Sequence, residues 1–258
     1  MKPLKYKTYS RNGIVIHYSE PTSKDAYMQV AHEFLQSLMK EFAELSMKSF
    51  RPRIGADNFP FMYSERRLDS VVLPALSNIC DGVVLTELPV KRKKANNHVK
   101  SEHGRLDYWC IYGGYTFAIE MKGTHDRFDC DTIRENSVMK RWGKMIEQLK
   151  DVESECKAMT ENTKGVIRLG LHFISSWANK EPNEELVDDY RENAQGYLRA
   201  FTEQISERYD DKPETNPSYA ADWIIPDDMV YHWNNATYTG VMLYAKVFEP
   251  VLHKCHEQ

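Results

Sequence analysis

Arg105-Leu106-Asp107-Tyr108-Trp109-Cys110-Ile111-Tyr112-Gly113-Gly114-Tyr115-Thr116-Phe117-Ala118-Ile119-Glu120-Met121-Lys122 reads as two alternating runs joined by a pair of glycines. Such a loop favours a tight hairpin, because glycine takes positive φ without steric cost. Tyr112 and Tyr115 then pair, so that Cys110 faces Phe117, Tyr108 faces Ile119 and Leu106 faces Met121 on an apolar face destined for the core. On the other face Ile111 meets Thr116, Trp109 meets Ala118, Asp107 meets Glu120 and Arg105 meets Lys122. Two carboxylates are thus expected directly opposite each other, with β-carbons about 5 Å apart. At an effective dielectric of about 20 they repel by roughly 3 kcal/mol. Two arrangements offset that cost. Arg105 and Lys122 neutralise the acids within a charged sheet surface, or a divalent cation with oxygen ligands sits between them.

The triplet acid-x-Lys occurs three times, as Glu120-Met121-Lys122, Glu155-Cys156-Lys157 and Asp210-Asp211-Lys212. The second falls on a predicted helix and the third in a loop. Only the first lies on a strand with an acid facing it, so context carries the specificity.

Around the hairpin, residues 25–49 form a predicted amphipathic helix with Tyr27, Val30, Ala31, Phe34, Leu38, Met39 and Phe42 at three- and four-residue steps. A second helix is expected at about 64–80, weakened by Pro74. Val83 to Thr86 reads as a short strand and 88–104 as a long mobile loop. A helix at 132–156, capped by Asp131, follows the hairpin. The nearly continuous apolar run from Val166 to Ile174 marks a strand covered on both faces. A helix at 184–208, the segment Trp223-Ile224-Ile225 and a last strand at 239–248 complete the chain. The predicted fold is α/β with a mixed central sheet, in one domain spanning 1–258.

The 258 residues are 41% hydrophobic and 28% charged, an ordinary globular balance that excludes wholesale disorder. No apolar run is long enough to span a membrane, and no secretory leader is expected. Five scattered cysteines without a C-x-x-C pair point to neither a disulfide framework nor a zinc ribbon, and a cytoplasmic setting follows. Gly165 to Gly170 lacks the Lys-Ser/Thr of a P-loop, and no G-x-S-x-G is present, so neither a nucleotide cofactor nor serine hydrolysis is indicated. The net charge of −4 is uneven: residues 1–130 carry +4 and residues 131–258 carry −8. The basic excess concentrates in Lys91-Arg92-Lys93-Lys94, followed by Lys100 and Arg105. That segment is either a solvated loop or a phosphate-binding surface.

Asp107, the interval to Glu120-x-Lys122 on the neighbouring strand, a preceding helix with an acid and a following helix and apolar strand resemble the PD-(D/E)xK nuclease superfamily. The resemblance covers about 60–176 and implies a restriction-endonuclease-like αβββαβ core, with the N-terminal helix and the 184–248 segment as elaborations. Leu106 stands where the proline of the name would be. The resemblance further implies that Asp107, Glu120 and the Met121 carbonyl hold Mg²⁺ (Mn²⁺ substituting), and that Lys122 handles the attacking water and the charge on phosphate. Glu65, at the start of the apolar stripe of its helix, becomes a further catalytic candidate, although a helix N-terminal glutamate is also favoured by the macrodipole. Arg66, Arg67, Lys91, Arg92, Lys93, Lys94, Lys100 and Arg105 become candidate contacts to the DNA backbone. The implied activity is that of a Mg²⁺-dependent endonuclease of restriction or defence type, acting on double-stranded DNA as a homodimer. The rival reading is a non-catalytic nucleic-acid-binding or assembly subunit that keeps the fold. Gln148 reads as a near-site glutamine or an ordinary helix residue. Asp126, Asp129 and Asp131 with His125 read as a turn and helix cap rather than a second ion site. His253, Cys255 and His256 lack zinc-site spacing.

Overall fold

The computed structural model describes residues 4–50, 61, 65–92, 102–130, 133–158, 163–209 and 211–252. Within them the strands are β1 (Tyr6–Arg11), β2 (Ile14–Ser19), β3 (Leu85–Arg92), β4 (Glu102–Tyr112), β5 (Tyr115–Arg127), β6 (Val166–Ala178), β7 (Tyr219–Ile224), β8 (Tyr231–Trp233) and β9 (Ala236–Val247). The helices are α1 (Ala26–Phe50), α2 (Glu65–Ile79), α3 (Lys140–Asp151), α4 (Glu153–Ala158) and α5 (Glu184–Arg208). The strands join one mixed nine-stranded sheet in the order β1-β2-β7-β9-β6-β5-β4-β3, with β8 added on β9. Only β5 and β6 run parallel, and a parallel pair needs a crossover, here through α3 and α4. From α2 to β6 the element order is α-β-β-β-α-β, with α4 as a short extension of the second helix.

Helices cover both faces of the sheet. On one, α1 and α2 bury Phe34, Leu38, Phe42, Val72 and Leu76 against Phe117, Ile119, Met121, Leu169 and Leu171. On the other, α3 and α5 bury Trp142, Met145, Leu149, Tyr190, Leu198 and Phe201 against Ile174, Ile224, Met242 and Tyr244. β6 therefore has helices on both sides, as its apolar run predicts, and its neighbours β5 and β9 are buried along most of their length.

The hairpin register is the predicted one from Tyr112↔Tyr115 to Tyr108↔Ile119, with both loop glycines at positive φ. Beyond Tyr108 the ladder stops and three expectations fail. Asp107 and Glu120 are not directly paired, Leu106 does not share the face of Tyr108, and Arg105 does not face Lys122. Leu106 packs with Val90, Ala118, Val152 and Val166 on the opposite side of the sheet. The reason lies in β3. Glu87 adopts a left-handed conformation (φ 54°) where it would oppose Asp107, and that rung is missing between Thr86↔Tyr108 and Leu88↔Leu106. Side-chain alternation breaks there, and β4 forks away from β5. Arg105 instead pairs with Glu87 at 3.1 Å.

The predicted loop at 88–104 is also corrected, since Leu85–Arg92 is an edge strand on β4. Leu88 and Val90 point into the small cluster around Leu106, and an edge position tolerates Pro89. The helix expected at 132–156 divides into a five-residue π-helical turn (Glu135–Met139), α3 and α4. Lys93, Lys94, Lys100, Asp131, His253, Cys255 and His256 lie outside the described residues.

One buried acid makes stability depend on pH. Asp222 on β7 is fully buried; its Oδ1 accepts from the Tyr190 hydroxyl at 2.8 Å, and Oδ2 has no hydrogen-bond partner among the described residues. Burial pushes its pKa up to about 8, outweighing the Tyr190 hydrogen bond, which acts to lower it. The folded chain therefore holds a proton that the unfolded chain releases near pH 4. Asp222 stabilises the fold below that value, and its contribution is lost as pH rises towards about 8. Asp222→Asn keeps an acceptor for Tyr190 but cannot ionise. Urea denaturation should show the variant gaining on wild type across this window, by roughly 5 kcal/mol at pH 8 if the whole shift acts on folding. Parallel pH profiles would contradict this account.

Candidate active site

The fork between β4 and β5 gathers the charged groups. Asp107 turns its carboxylate into the gap, where Oδ2 accepts from the Met121 amide at 2.6 Å in place of the lost ladder bond. Burial raises its pKa. The Met121 hydrogen bond and the Lys122 charge oppose that rise, while Glu65 and Asp69 add to it.

Glu120 and Lys122 project from β5 two residues apart, on the same face. Glu120 is only 1% exposed. Its carboxylate lies 3.7 Å from the Lys122 ammonium, which is itself largely buried. Gly170 of β6 sits beside Glu120 in the parallel register. Its missing side chain makes room for Met145 and Leu149, so α3 lies directly over this part of the sheet.

Glu65 reaches the same place from the first turn of α2. Its carboxylate accepts from the Gly123 amide at 3.3 Å and lies 3.9 Å from the Lys122 ammonium. Gly123 makes the approach possible: a β-carbon there would stand 3.4 Å from the Glu65 α-carbon and 3.3 Å from Leu68. Lys122 thus has three oxygens around its ammonium, the nearest being the Met121 carbonyl at 2.8 Å. That carbonyl, expected to face a metal ion, is here an acceptor for Lys122.

Sequence reasoning misses Arg141. Its guanidinium spans the site, donating to the Gly123 carbonyl at 2.6 Å and to Glu65 at 3.4 Å. It ties the start of α3 to that of α2 across the rim of the sheet. No local pattern in the sequence marks it, because it is one of several cations on the exposed side of a helix. His172 lies beneath, fully buried and bonded to Thr124 at 2.8 Å. Burial, aided by Arg141 and Lys122, pushes its pKa down to about 3, so the imidazole is neutral. Tyr108 donates to Asp69 of α2 and braces that helix against the hairpin.

The other candidates separate. Gln148 is half-buried on α3, and its Oε1 has no hydrogen-bond partner among the described residues. Asp126 accepts from the Arg127 and Arg134 amides, and Asp129 makes two 2.8 Å bonds to Arg127. These acids serve a turn and a helix approach. Trp109 packs on the cluster around Leu106 and seals the sheet. Arg67, Lys91 and Arg105 are exposed, while Arg66 and Arg92 belong to α2 and β3.

Three carboxylates (Glu65, Asp107 and Glu120) gather with two cations (Lys122 and Arg141), an excess of one formal negative charge at the fork. The donors are all hard oxygens, the kind Mg²⁺ or Mn²⁺ takes. The Lys122 ammonium among three oxygens shows that the fork accommodates a positive charge. Among the described residues no three His, Cys, Asp or Glu side chains converge as a metal-binding group. A bound ion would therefore draw on a backbone carbonyl and water as well. No helix among the described residues is long and apolar enough to cross a membrane. Comparison with protein-family models, with curated proteins and with solved structures gives no match.

Proposed function

We propose that this protein is a Mg²⁺-dependent nuclease that hydrolyses DNA phosphodiesters at the β4–β5 fork. The observation that carries this reading is the Lys122 ammonium, held between Glu120, Glu65 and the Met121 carbonyl beside the half-buried Asp107. The α-β-β-β-α-β order around it supports the same reading. So does the α2 glutamate reaching a lysine two residues beyond a buried strand glutamate.

In this reading Asp107, Glu120 and the Met121 carbonyl would hold the ion. A divalent ion so held would polarise the phosphate and lower the pKa of a bound water. Lys122, a donor-only group, orients the attacking water and neutralises charge gathering on the phosphate oxygens. Glu65 sets the position of the Lys122 ammonium, and Arg141 holds Glu65. The Met121 carbonyl has a second lone pair beside the one that accepts from Lys122, and the flexible lysine stem would let the ammonium shift if an ion were held there. The neutral His172 adds no positive charge beneath the site.

The alternative is a non-catalytic nucleic-acid-binding or assembly subunit, favoured by the net charge of −4 and by the occupation of the Met121 carbonyl by Lys122. Incubation with supercoiled plasmid separates the two. The nuclease reading expects nicked and then linear DNA with Mg²⁺ or Mn²⁺, and intact plasmid in EDTA. Intact substrate throughout a panel of duplex DNA, single-stranded DNA and RNA with Mn²⁺ would overturn it.

A further inference from the structure

Beside Arg141, α3 and the end of α5 enclose a groove of about 530 Å³ that no part of the proposed chemistry uses. Its lining is Met139, Lys140, Gly143, Lys144, Glu147, Arg208 and Tyr209, three cations against one carboxylate. Lys140 and Lys144 are one helical turn apart on α3, so both ammonium groups address the same side. Arg208 comes from the last turn of α5. The floor is built rather than incidental. A β-carbon at Gly143 would lie 2.5 Å from the Tyr209 hydroxyl, so only glycine lets that ring settle on α3. The Tyr209 hydroxyl then donates to the Met139 carbonyl at 3.3 Å.

We infer that this groove is a phosphate track that holds the DNA backbone on its way to or from the fork. The inference rests on the nuclease reading for its ligand. Its geometry is independent of that reading. Lys140 and Lys144 flank Arg141 within about 5 Å of helix rise, so a strand crossing the fork reaches the groove within a few phosphates. The site itself carries an excess of negative charge and repels the backbone it must bind. A cationic groove one helical turn away offsets that repulsion without placing lysines where the metal would sit. The half of the chain that holds the groove is acidic overall, so its local positive charge is a departure from its surroundings.

Binding of a fluorescent 30-base-pair duplex, measured by anisotropy in EDTA at several salt concentrations, tests this without requiring cleavage. Lys140→Gln/Lys144→Gln/Arg208→Gln should bind about 10–100-fold more weakly near 0.15 M salt, and its log–log salt slope should fall by about 2 to 3. A control triple variant, Lys24→Gln/Lys48→Gln/Lys180→Gln, removes the same charge from exposed positions elsewhere in the chain and should bind within about twofold of wild type. Glu147→Gln, which removes the opposing carboxylate, should tighten binding a few-fold, a gain that damage to the fold would not produce. Equal affinity and slope in the groove triple, the control triple and wild type would overturn the track while leaving the nuclease reading intact. Absence of any wild-type binding at low salt would overturn both.

Discussion

If the fork is the nuclease site proposed above, plasmid nicking should fall by about three orders of magnitude in Glu120→Gln and by about two in Lys122→Met, the losses expected when a group acting on the transition state is removed. Folding and chemistry must be separated, because Glu120 is 1% exposed and Lys122 is a near neighbour at 3.7 Å. At an effective dielectric of about 20, a pair at that spacing interacts by about 4 kcal/mol, and desolvation and other partners reduce the net effect. Lys122→Met should therefore cost about 1–3 kcal/mol of stability by leaving a buried carboxylate short of positive charge. Glu120→Gln/Lys122→Met removes both charges and should recover most of that loss. Its nicking should stay at background. Urea midpoints read beside nicking rates check the pair. Recovery of stability together with activity would show that these residues serve the fold and not the reaction.

The largest expected loss of stability lies far from the site, at Gly240. A β-carbon there would approach ring atoms of Tyr190 to 2.5 and 2.6 Å. Tyr190 has nowhere to go. It is fully buried, its hydroxyl is held by Asp222, and its ring stacks on Tyr197 and meets Phe128 edge-on. Gly240 lies on β9 and faces α5 through this contact, so the helix must lift or the strand must bend. Gly240→Ala should cost about 3 kcal/mol or more, at the upper end of overpacking penalties. Gly196, on the exposed side of α5, has no atom within 4 Å of the same virtual carbon. Gly196→Ala should stabilise by about 0.5–1 kcal/mol, through helix propensity and a less flexible unfolded chain. Chemical denaturation of the two variants beside wild type settles the sign of each. Similar midpoints for both would mean that the α5–β9 packing is looser than described.

Local rules made some of this fold legible in the sequence. Gly113-Gly114 sets the hairpin register, and the apolar run at Val166–Ile174 marks the strand between helical layers. The 184–208 helix has the bounds that its apolar steps predict, and in the structure Asn183 caps it by accepting from the Leu186 amide. Where tertiary context overrides alternation, the reading fails. Glu87 carries no mark of its left-handed backbone, yet it breaks the β3 ladder, flips Leu106 to the other face and opens the fork beside Asp107. One signal is present but passes unread. Asn12-Gly13, both at positive φ, joins β1 to β2, and Asn-Gly between alternating runs is a strong hairpin mark.

The site is legible to the same degree. Lys122 lies 3.7 Å from Glu120 and 3.9 Å from Glu65; strand spacing suggests the first pairing, while Glu65 enters only from its place on the helix stripe and the family resemblance. Asp107 reaches the group by bonding a backbone amide rather than by facing Glu120, which no register rule supplies. Arg141 and Gly123 leave no trace in a single sequence. One is a surface cation among several, and the role of the other lies in the atoms it lacks.

Calorimetric titration of the protein with Mn²⁺ in the presence of a short non-cleavable duplex tests the cation seat most directly. Saturable binding is expected in wild type and in Glu147→Gln, with the heat lost in Glu120→Gln and strongly weakened in Asp107→Asn. Heats that are equal in wild type and Glu120→Gln, or absent from wild type altogether, would contradict it.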